Sequence, residues 1–502
     1  MSFYPAAPAA DSFTRSRSAF EALVSRLSSR QTVTLEHSAV EDLLGEDGTK
    51  LLNCLEQDHL DLRAALEEPK PVVGSDGVER RHQRQSSRKL ESRFGGVVVH
   101  RLALSARGSG ALMPLDAELN LPNGKYSFGL RKQLVIETAI GSFDQAVERV
   151  RATTGGHVAK RQVEEAVVDA MVDFDDFYAN APVEEVSSGH FLVVTFDGKG
   201  VVMRREGLRP ETCKKADNAT KKLGSRLSPG EKRNRKRMAE VAAVYAVPPW
   251  VRTTAQVLKL PGCGPLPPRP RPVNKRVWAS LVDDARDVVQ GAFEEAVVRD
   301  PNLERPWVVL VDGNRAQVRY AKEAAAGVGH PVTLILDVVH VIEYIWKAAW
   351  AFFDKGDPAV EAWVNDKIHR LLDGKVSGVA AGIRRSATRR GLSGSKREAV
   401  DKCAKYLLNH KEMMRYDEYL AAGMPVGTGV IEGACRHLIN DRMDITGARW
   451  GLERAEAVLK ARALRISGDL DAYWDFHKRR ELERNHLIRY AESELPALRE
   501  AA

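Results

Sequence analysis

At 502 residues the chain exceeds what one hydrophobic core supports, so about two to four domains are expected. Its 76 lysines and arginines against 68 acids give a formal charge of +8, a balance that permits nucleic acid as a partner but excludes a histone-like polycation. Five cysteines with no C-x-x-C pair exclude a disulfide framework or zinc ribbon and predict a reducing, cytoplasmic setting. No export signal, no run of about 18 apolar residues and no G-x-x-x-x-G-K-[ST] loop is visible, which argues against secretion, membrane insertion and ATP-driven action.

The elements follow in chain order. Residues 1–18 are small, polar and rich in Pro and Ala, which predicts disorder. From Phe20 to Ala65 the apolar residues (Leu23, Leu27, Val40, Leu43, Leu44, Leu51, Leu52, Leu55) recur at helical spacing and predict a helical module. Lys70–Arg93 is charged and broken, and reads as a linker or basic arm. Phe94–Leu104 alternates as a strand at a hairpin edge, and Leu115–Tyr126 is a turn-rich connector. Ser142 is placed to cap a helix carrying Phe143, Ala146, Val147 and Val150. Gly155-Gly156 breaks it, and Val158–Met171 follows as an amphipathic helix opening with Lys160 and Arg161. That layout fits a DNA-reading helix-turn-helix and fits a plain αα-hairpin equally well.

At Phe191 the composition changes. Strands are predicted over Phe191–Phe196, Met238–Val247, Trp307–Val311 and Val332–Leu336, with helical stretches over Lys275–Val298 and Ala316–Gly327. Strands interleaved with helices mean an α/β domain. A basic stretch, Lys214–Arg237, separates the first two strands, and a Pro-rich linker, Pro265–Val273, follows the second. Past His340 the chain reads as helical to about Leu420 and again after Glu432.

Three acids carry the chemistry. Asp197 in FLVVTFDGKG and Asp312 in WVVLVDGN each close an apolar strand at an Asp-Gly, and Glu432 lies in GTGVIEGAC. Each alone fits a turn or a helix N-terminal acid. Together they fit a site for hard divalent cations, and two such ions can activate a hydroxyl and stabilise a leaving oxygen at phosphorus. Asp337 and His340 form D-V-V-H, three apart on one helix face, able to bond each other, bind a metal or position a phosphate, or simply to cap the helix beside a buried His. Cys435 and His437 stand close to Glu432, but their spacing gives no zinc signature. Lys232, Arg233, Arg235, Lys236 and Arg237 suit a phosphodiester backbone. Arg442 is a further DNA-binding candidate; Arg449 and Trp450 fit the clamping of an unpaired base, and Trp450 fits core packing equally.

These segments together resemble a known family. FDGKGVVMRREGLRPET, GEKRNRKRMAEVAAVYAV, VLVDGN, LILDVVHVIEYIWKAAW and GVIEGACRHLINDRMDITGARWG, in this order, are similar to bacterial DDE transposases of the ISKra-type insertion-sequence family. LMPLDAELNLPNGKYSFGLRK and SFDQAVERVRATTG are similar to the same family, so the resemblance runs from about Leu90 to His486. It implies a multidomain α+β protein with a ribonuclease H-like catalytic domain. Residues 1–88, a disordered start, helical module and basic linker, lie outside the resemblance, and a DNA-binding hairpin plus helix-turn-helix follows over 89–186. The catalytic domain follows over 187–340, then a helical insertion over 341–424, and catalytic completion with C-terminal helices over 425–502.

The resemblance further implies that Asp197, Asp312 and Glu432 are the triad holding two Mg²⁺ or Mn²⁺ ions. Asp337 and His340 would be the accessory D-x-x-H, although Asp337 also ends an apolar strand and competes with Asp312 for the second position. The implied partners are double-stranded DNA, as element ends and target, and further copies of the chain. The implied reaction is strand cleavage followed by strand transfer. A ribonuclease H-like nuclease without strand transfer and a non-catalytic repressor derived from a transposase are the alternatives.

Overall fold

The computed structural model describes residues 12–182, 187–218, 227–445 and 447–495. The chain separates into two compact units, residues 1–180 with 468–502, and residues 181–467. The last helical segment, expected to complete the catalytic region, therefore clusters with the first unit. No helix among the described residues is long and apolar enough to cross a membrane.

The first unit opens with helices α1 (Thr14–Leu27) and α2 (His37–Ala65). Helix α1 starts inside the stretch expected to be disordered, because the Ser16 amide donates to the buried Asp58 carboxylate at 2.8 Å; residues 1–11 of that stretch lie outside the described residues. Helix α2 lays Leu60 against Leu90, Val97 and Val99 of a three-stranded antiparallel sheet. Its strands are β1 (His82–Ser92), β2 (Gly95–Ala106) and β3 (Ser109–Leu112), in that spatial order.

Two expectations are corrected here. The charged run read as a linker or basic arm is strand β1, paired with β2 from His82↔Ser105 to Ser92↔Gly95. The strand read as a hairpin edge is the centre of the sheet. A long charged strand is tolerated at an edge, where it discourages pairing with other chains, and that polarity hid its periodicity.

Helices α3 (Phe128–Ile140), α4 (Phe143–Thr153) and α5 (Lys160–Ala170) pack around Leu130, Leu134, Ala146, Val150 and Val163. Ser142 and Gln145 form the capping box that starts α4. Gly155 follows because the Cβ of any other residue there would run into the Phe94 carbonyl.

The second unit is a five-stranded mixed sheet wrapped by helices. Its strands are β4 (Phe191–Val202), β5 (Lys236–Val247), β6 (Val273–Ser280), β7 (Trp307–Val311) and β8 (Val332–Leu336), in the spatial order β8-β7-β4-β5-β6. The pairs β4/β5 and β5/β6 are antiparallel, and β4/β7 and β7/β8 are parallel. Helix α6 (Ala285–Arg299) joins β6 to β7 and α7 (Arg315–Val328) joins β7 to β8, as parallel connections require.

Strand β6 was expected to be helix. Its Lys275 and Arg276 break the apolar alternation, and the helix begins only at Asp284, which accepts from the Arg286 and Asp287 amides. The stretch expected to stay helical does so, through α8 (Val338–Ala349), α9 (Ala359–Leu372), α10 (Val376–Arg389), α11 (Gly394–Asn409) and α12 (Tyr416–Ala421). The chain then returns through α13 (Gly429–Ala434), a wider π-type turn over Cys435–Asn440, and α14 (Leu452–Ser467), whose Ser467 hydroxyl accepts from the Val277 amide on β6 at 3.0 Å.

Candidate acidic site at the end of the mixed sheet

Parallel pairing between β4 and β7 runs from Leu192↔Trp307 to Thr195↔Leu310, and Asp197 and Asp312 each stand two residues further on. Between β7 and β8 it ends at Leu336↔Val311, and the Asp337 amide donates to the Val311 carbonyl at 2.8 Å. Asp197, Asp312 and Asp337 thus stand level on three neighbouring strands, just past the last parallel pairs, with their side chains on the same face by parity. Asp197 is not at a turn, as the Asp-Gly suggested: β4 runs on to Val202, with Asp197 opposite Val241 on β5.

The three carboxylates differ in how much bonding capacity is used. Asp337 is fully buried and caps α8. Its Oδ1 accepts from the Val339 amide at 3.1 Å and the Thr428 amide at 3.2 Å. Its Oδ2 accepts from His340 Nδ1 at 2.8 Å and from the Thr428 hydroxyl at 2.5 Å. Burial pushes this carboxyl up, but the bonds from His340 and Thr428 outweigh it and hold the group below its ordinary value. The same bond pushes His340 up to about 9, so its imidazole is cationic at neutral pH.

Asp312 is half-buried and its Oδ1 accepts from the Asn314 amide at 2.7 Å, which is a local turn bond. Its backbone carbonyl accepts from the Tyr406 hydroxyl at 2.9 Å, so α11 of the helical region fixes the turn that carries it. Gly313 has φ of +90°, and a Cβ there would meet Tyr406 Oη at 3.0 Å. Asp197 accepts from the Gly198 amide at 2.7 Å and from the Cys435 thiol at 3.2 Å.

Glu432 lies on α13 with its side chain exposed. Burial of part of the group and the fields of Asp337 and Asp197 push its carboxyl up. Glu240 on β5, which sits opposite Gly198, is pushed up by burial and by Asp197. Sequence reasoning missed Glu240; the signal was a single acid inside the apolar run MAEVAAVYAV.

Among the described residues, the tight group of potential ligands at this end of the sheet is Asp337, His340 and Glu432, whose ligand atoms lie within 4.8 Å of one another and could hold a metal ion. Asp197 and Asp312 lie outside that group, joined to it by their fields on Glu432 and His340. A second such group, Asp173, His477 and Glu481, is buried in the first unit, where the Arg484 guanidinium donates to both Asp173 oxygens. His437, considered as a ligand, pairs with Asp441 at 2.9 Å.

The basic candidates divide. Lys160 pairs with Asp144 at 2.7 Å and Arg161 with Glu165 at 2.9 Å, both on the exposed start of α5. Lys232 and Arg233 end the short helix Pro229–Arg233, followed by half-buried Arg235 and exposed Lys236. Residues 219–226 of that basic stretch lie outside the described residues. Arg237 is corrected to a structural role: its guanidinium donates to the Leu281 and Gly207 carbonyls, and burial lowers its pKa.

Arg442, a DNA-binding candidate, is corrected to a core residue, and for Trp450 the core alternative is the one observed. Both are buried, with the guanidinium 4.6 Å from the indole centroid and the indole N–H donating to the Met443 carbonyl. An amphipathic pair of this kind fills a core as readily as it meets DNA. Arg449 remains exposed. Compared with family models and with curated proteins, the chain matches none.

Proposed function

We propose that this chain is a ribonuclease H-like DNA transposase, which binds the ends of its element as a multimer and catalyses divalent-metal-dependent strand cleavage and strand transfer. The observation that carries the reading is the sheet order β8-β7-β4-β5-β6 with Asp197 on its central strand and Asp312 at the end of the parallel neighbour. After β8, an all-helical excursion returns the chain to the same end at Glu432.

The donor set fits hard cations. Asp197, Asp312 and Glu432 offer carboxylate oxygens, the ligand type that Mg²⁺ and Mn²⁺ select. Asp312 suits the second ligand position better than Asp337, because it spends one bond on a local amide while Asp337 spends four on His340, Thr428 and Val339. When bound, two such ions supply a metal-activated oxygen nucleophile and charge stabilisation at phosphorus.

The chain supplies position and field. Asp337 locks the start of α8 to Thr428 and so fixes the segment that carries Glu432. The His340 imidazolium places a positive charge among the carboxylates. Burial raises Glu432 and Glu240 first, and the fields of Asp337 and Asp197 on Glu432 and of Asp197 on Glu240 add a like-charge part that a divalent cation would relieve. Exposed Lys160, Arg161, Lys236 and Arg449 suit phosphate contacts.

The test is Mg²⁺-dependent cleavage and joining of labelled DNA taken from the flanks of the chain's own coding sequence. Wild type is compared with Asp197→Ala, Asp312→Ala and Glu432→Ala. Joined products lost in all three variants with DNA binding retained support the reading; cleavage without joining favours a nuclease. DNA binding by wild type with no cleavage favours a repressor.

A further inference from the structure

A cavity of about 310 Å³ opens beside the acidic end of the mixed sheet. Part of its wall belongs to the site: Val338 and Val339 follow Asp337 directly, and Gly429 and Val430 precede Glu432. The rest is aromatic and Pro-rich, from Tyr245 at the end of β5, Trp250, and the strap carrying Leu266 and Arg269. No acidic residue lines it among the described residues.

Trp250 is held rigidly. The buried Arg252 guanidinium stacks 4.3 Å from its ring centroid and donates to the Trp250 carbonyl at 2.6 Å and the Met424 carbonyl at 3.2 Å. The indole N–H donates to the Pro267 carbonyl at 3.0 Å. Its one polar atom is therefore satisfied by the wall, and what the indole offers an occupant is apolar ring surface. At the mouth, exposed Arg269 lies over α13, its Nη2 3.8 Å from where a Gly429 Cβ would sit.

We infer that this cavity takes one unpaired nucleobase of the DNA strand that reaches the acidic site, with Trp250 as the stacking surface and Arg269 contacting an adjoining phosphate. The inference rests on the proposed function and specifies how that site grips its substrate. The volume sits at the lower end of the range for small-ligand pockets, about 300–1,000 Å³, which suits a single ring system and not a duplex. An apolar slot with an arginine at its mouth and no acid suits a flat base attached to an anionic backbone. Glu432, two residues past Val430 of the wall, would help hold a cation for the phosphate next along the strand.

The test is fluorescence anisotropy of the full-length chain in EDTA, with labelled oligothymidylate against an abasic deoxyribose-phosphate oligomer of the same length. Base stacking on one aromatic side chain predicts about 5- to 100-fold tighter binding of the base-bearing strand. That difference is expected to disappear in Trp250→Ala and in Leu266→Trp, which fills the cavity from the strap and leaves the Trp250–Arg252 stack intact. Equal binding of the two oligomers by wild type, or a difference that survives Leu266→Trp, overturns the base pocket. Those results leave the proposed function standing; its own failure is the absence of metal-dependent cleavage by wild type.

Discussion

The Cys435 thiol lies 3.2 Å from Oδ2 of Asp197 and donates to it. Burial, the charge of Asp197 and this bond all push the thiol above its ordinary value. The π-type turn over Cys435–Asn440 thereby touches the central strand of the mixed sheet directly behind Glu432. Cys435 is expected to resist iodoacetamide at pH 8 and to alkylate measurably faster in Asp197→Asn, where the neighbouring charge is gone. Mass-spectrometric mapping of the alkylated peptide checks this; equal rates in both proteins would mean that Asp197 does not govern the thiol.

Asp312 and Asp337 should separate cleanly. Asp337→Ala leaves half-buried His340 and buried Thr428 without their acceptor, at a cost of roughly 3–5 kcal/mol in stability. Asp312→Ala removes a half-buried carboxylate from a cluster of like charge and should change stability by no more than about 0.5 kcal/mol. It should nevertheless slow DNA cleavage on the order of 10²–10³-fold. Denaturant melts and cleavage rates on the same preparations decide; a stable, inactive Asp337→Ala would move the second ligand position to Asp337.

The Asp337–His340 pair fixes a pH window. His340 is raised from 6.5 to about 9, so its contribution is complete below 6.5 and is lost as pH rises through about 9. Asp337 is lowered from 3.8, so its contribution is complete above 3.8 and is lost as pH falls through the depressed value. Between those limits the pair is fully formed. Raising pH from 7 to 10 should lower the melting temperature by roughly 2–4 °C more in wild type than in His340→Gln. Parallel curves for the two proteins would remove His340 as the cause.

Two arginines so close in sequence should behave as opposites. Arg442→Ala removes a buried stack on Trp450 and should destabilise the fold by roughly 2–3 kcal/mol. Arg449→Ala, exposed, should leave stability unchanged and reduce the slope of log K for DNA against log salt by about 1. Thermal melts and a salt series of DNA titrations check the pair; a salt slope altered by Arg442→Ala alone would return that residue to the DNA surface.

Strands buried on both faces were legible as apolar runs: FLVVTF, WVVLV and the end of TLIL state their burial in composition alone. Two polar edge strands were not. The polar β1 and β6 have few apolar neighbours to satisfy, and their backbone ladders, not their side chains, make them strands. The acids at strand ends were legible for the same reason that the strands were, since each terminates an apolar run. Glu240 was hidden because its significance comes from a cross-strand neighbour, Gly198, more than forty positions away in sequence.

The sequence by itself determined the α/β character of the second unit, the helical region between His340 and Leu420, and the short list of acids that could share a site. Tertiary structure alone decided how each acid is used. Four bonds consume Asp337 where one local amide serves Asp312, burial takes Arg442 and Trp450 out of reach of a ligand, and two backbone carbonyls hold Arg237. Hydrogen-bond capacity and desolvation belong to a side chain's surroundings, and those are assembled from segments that lie far apart in the chain.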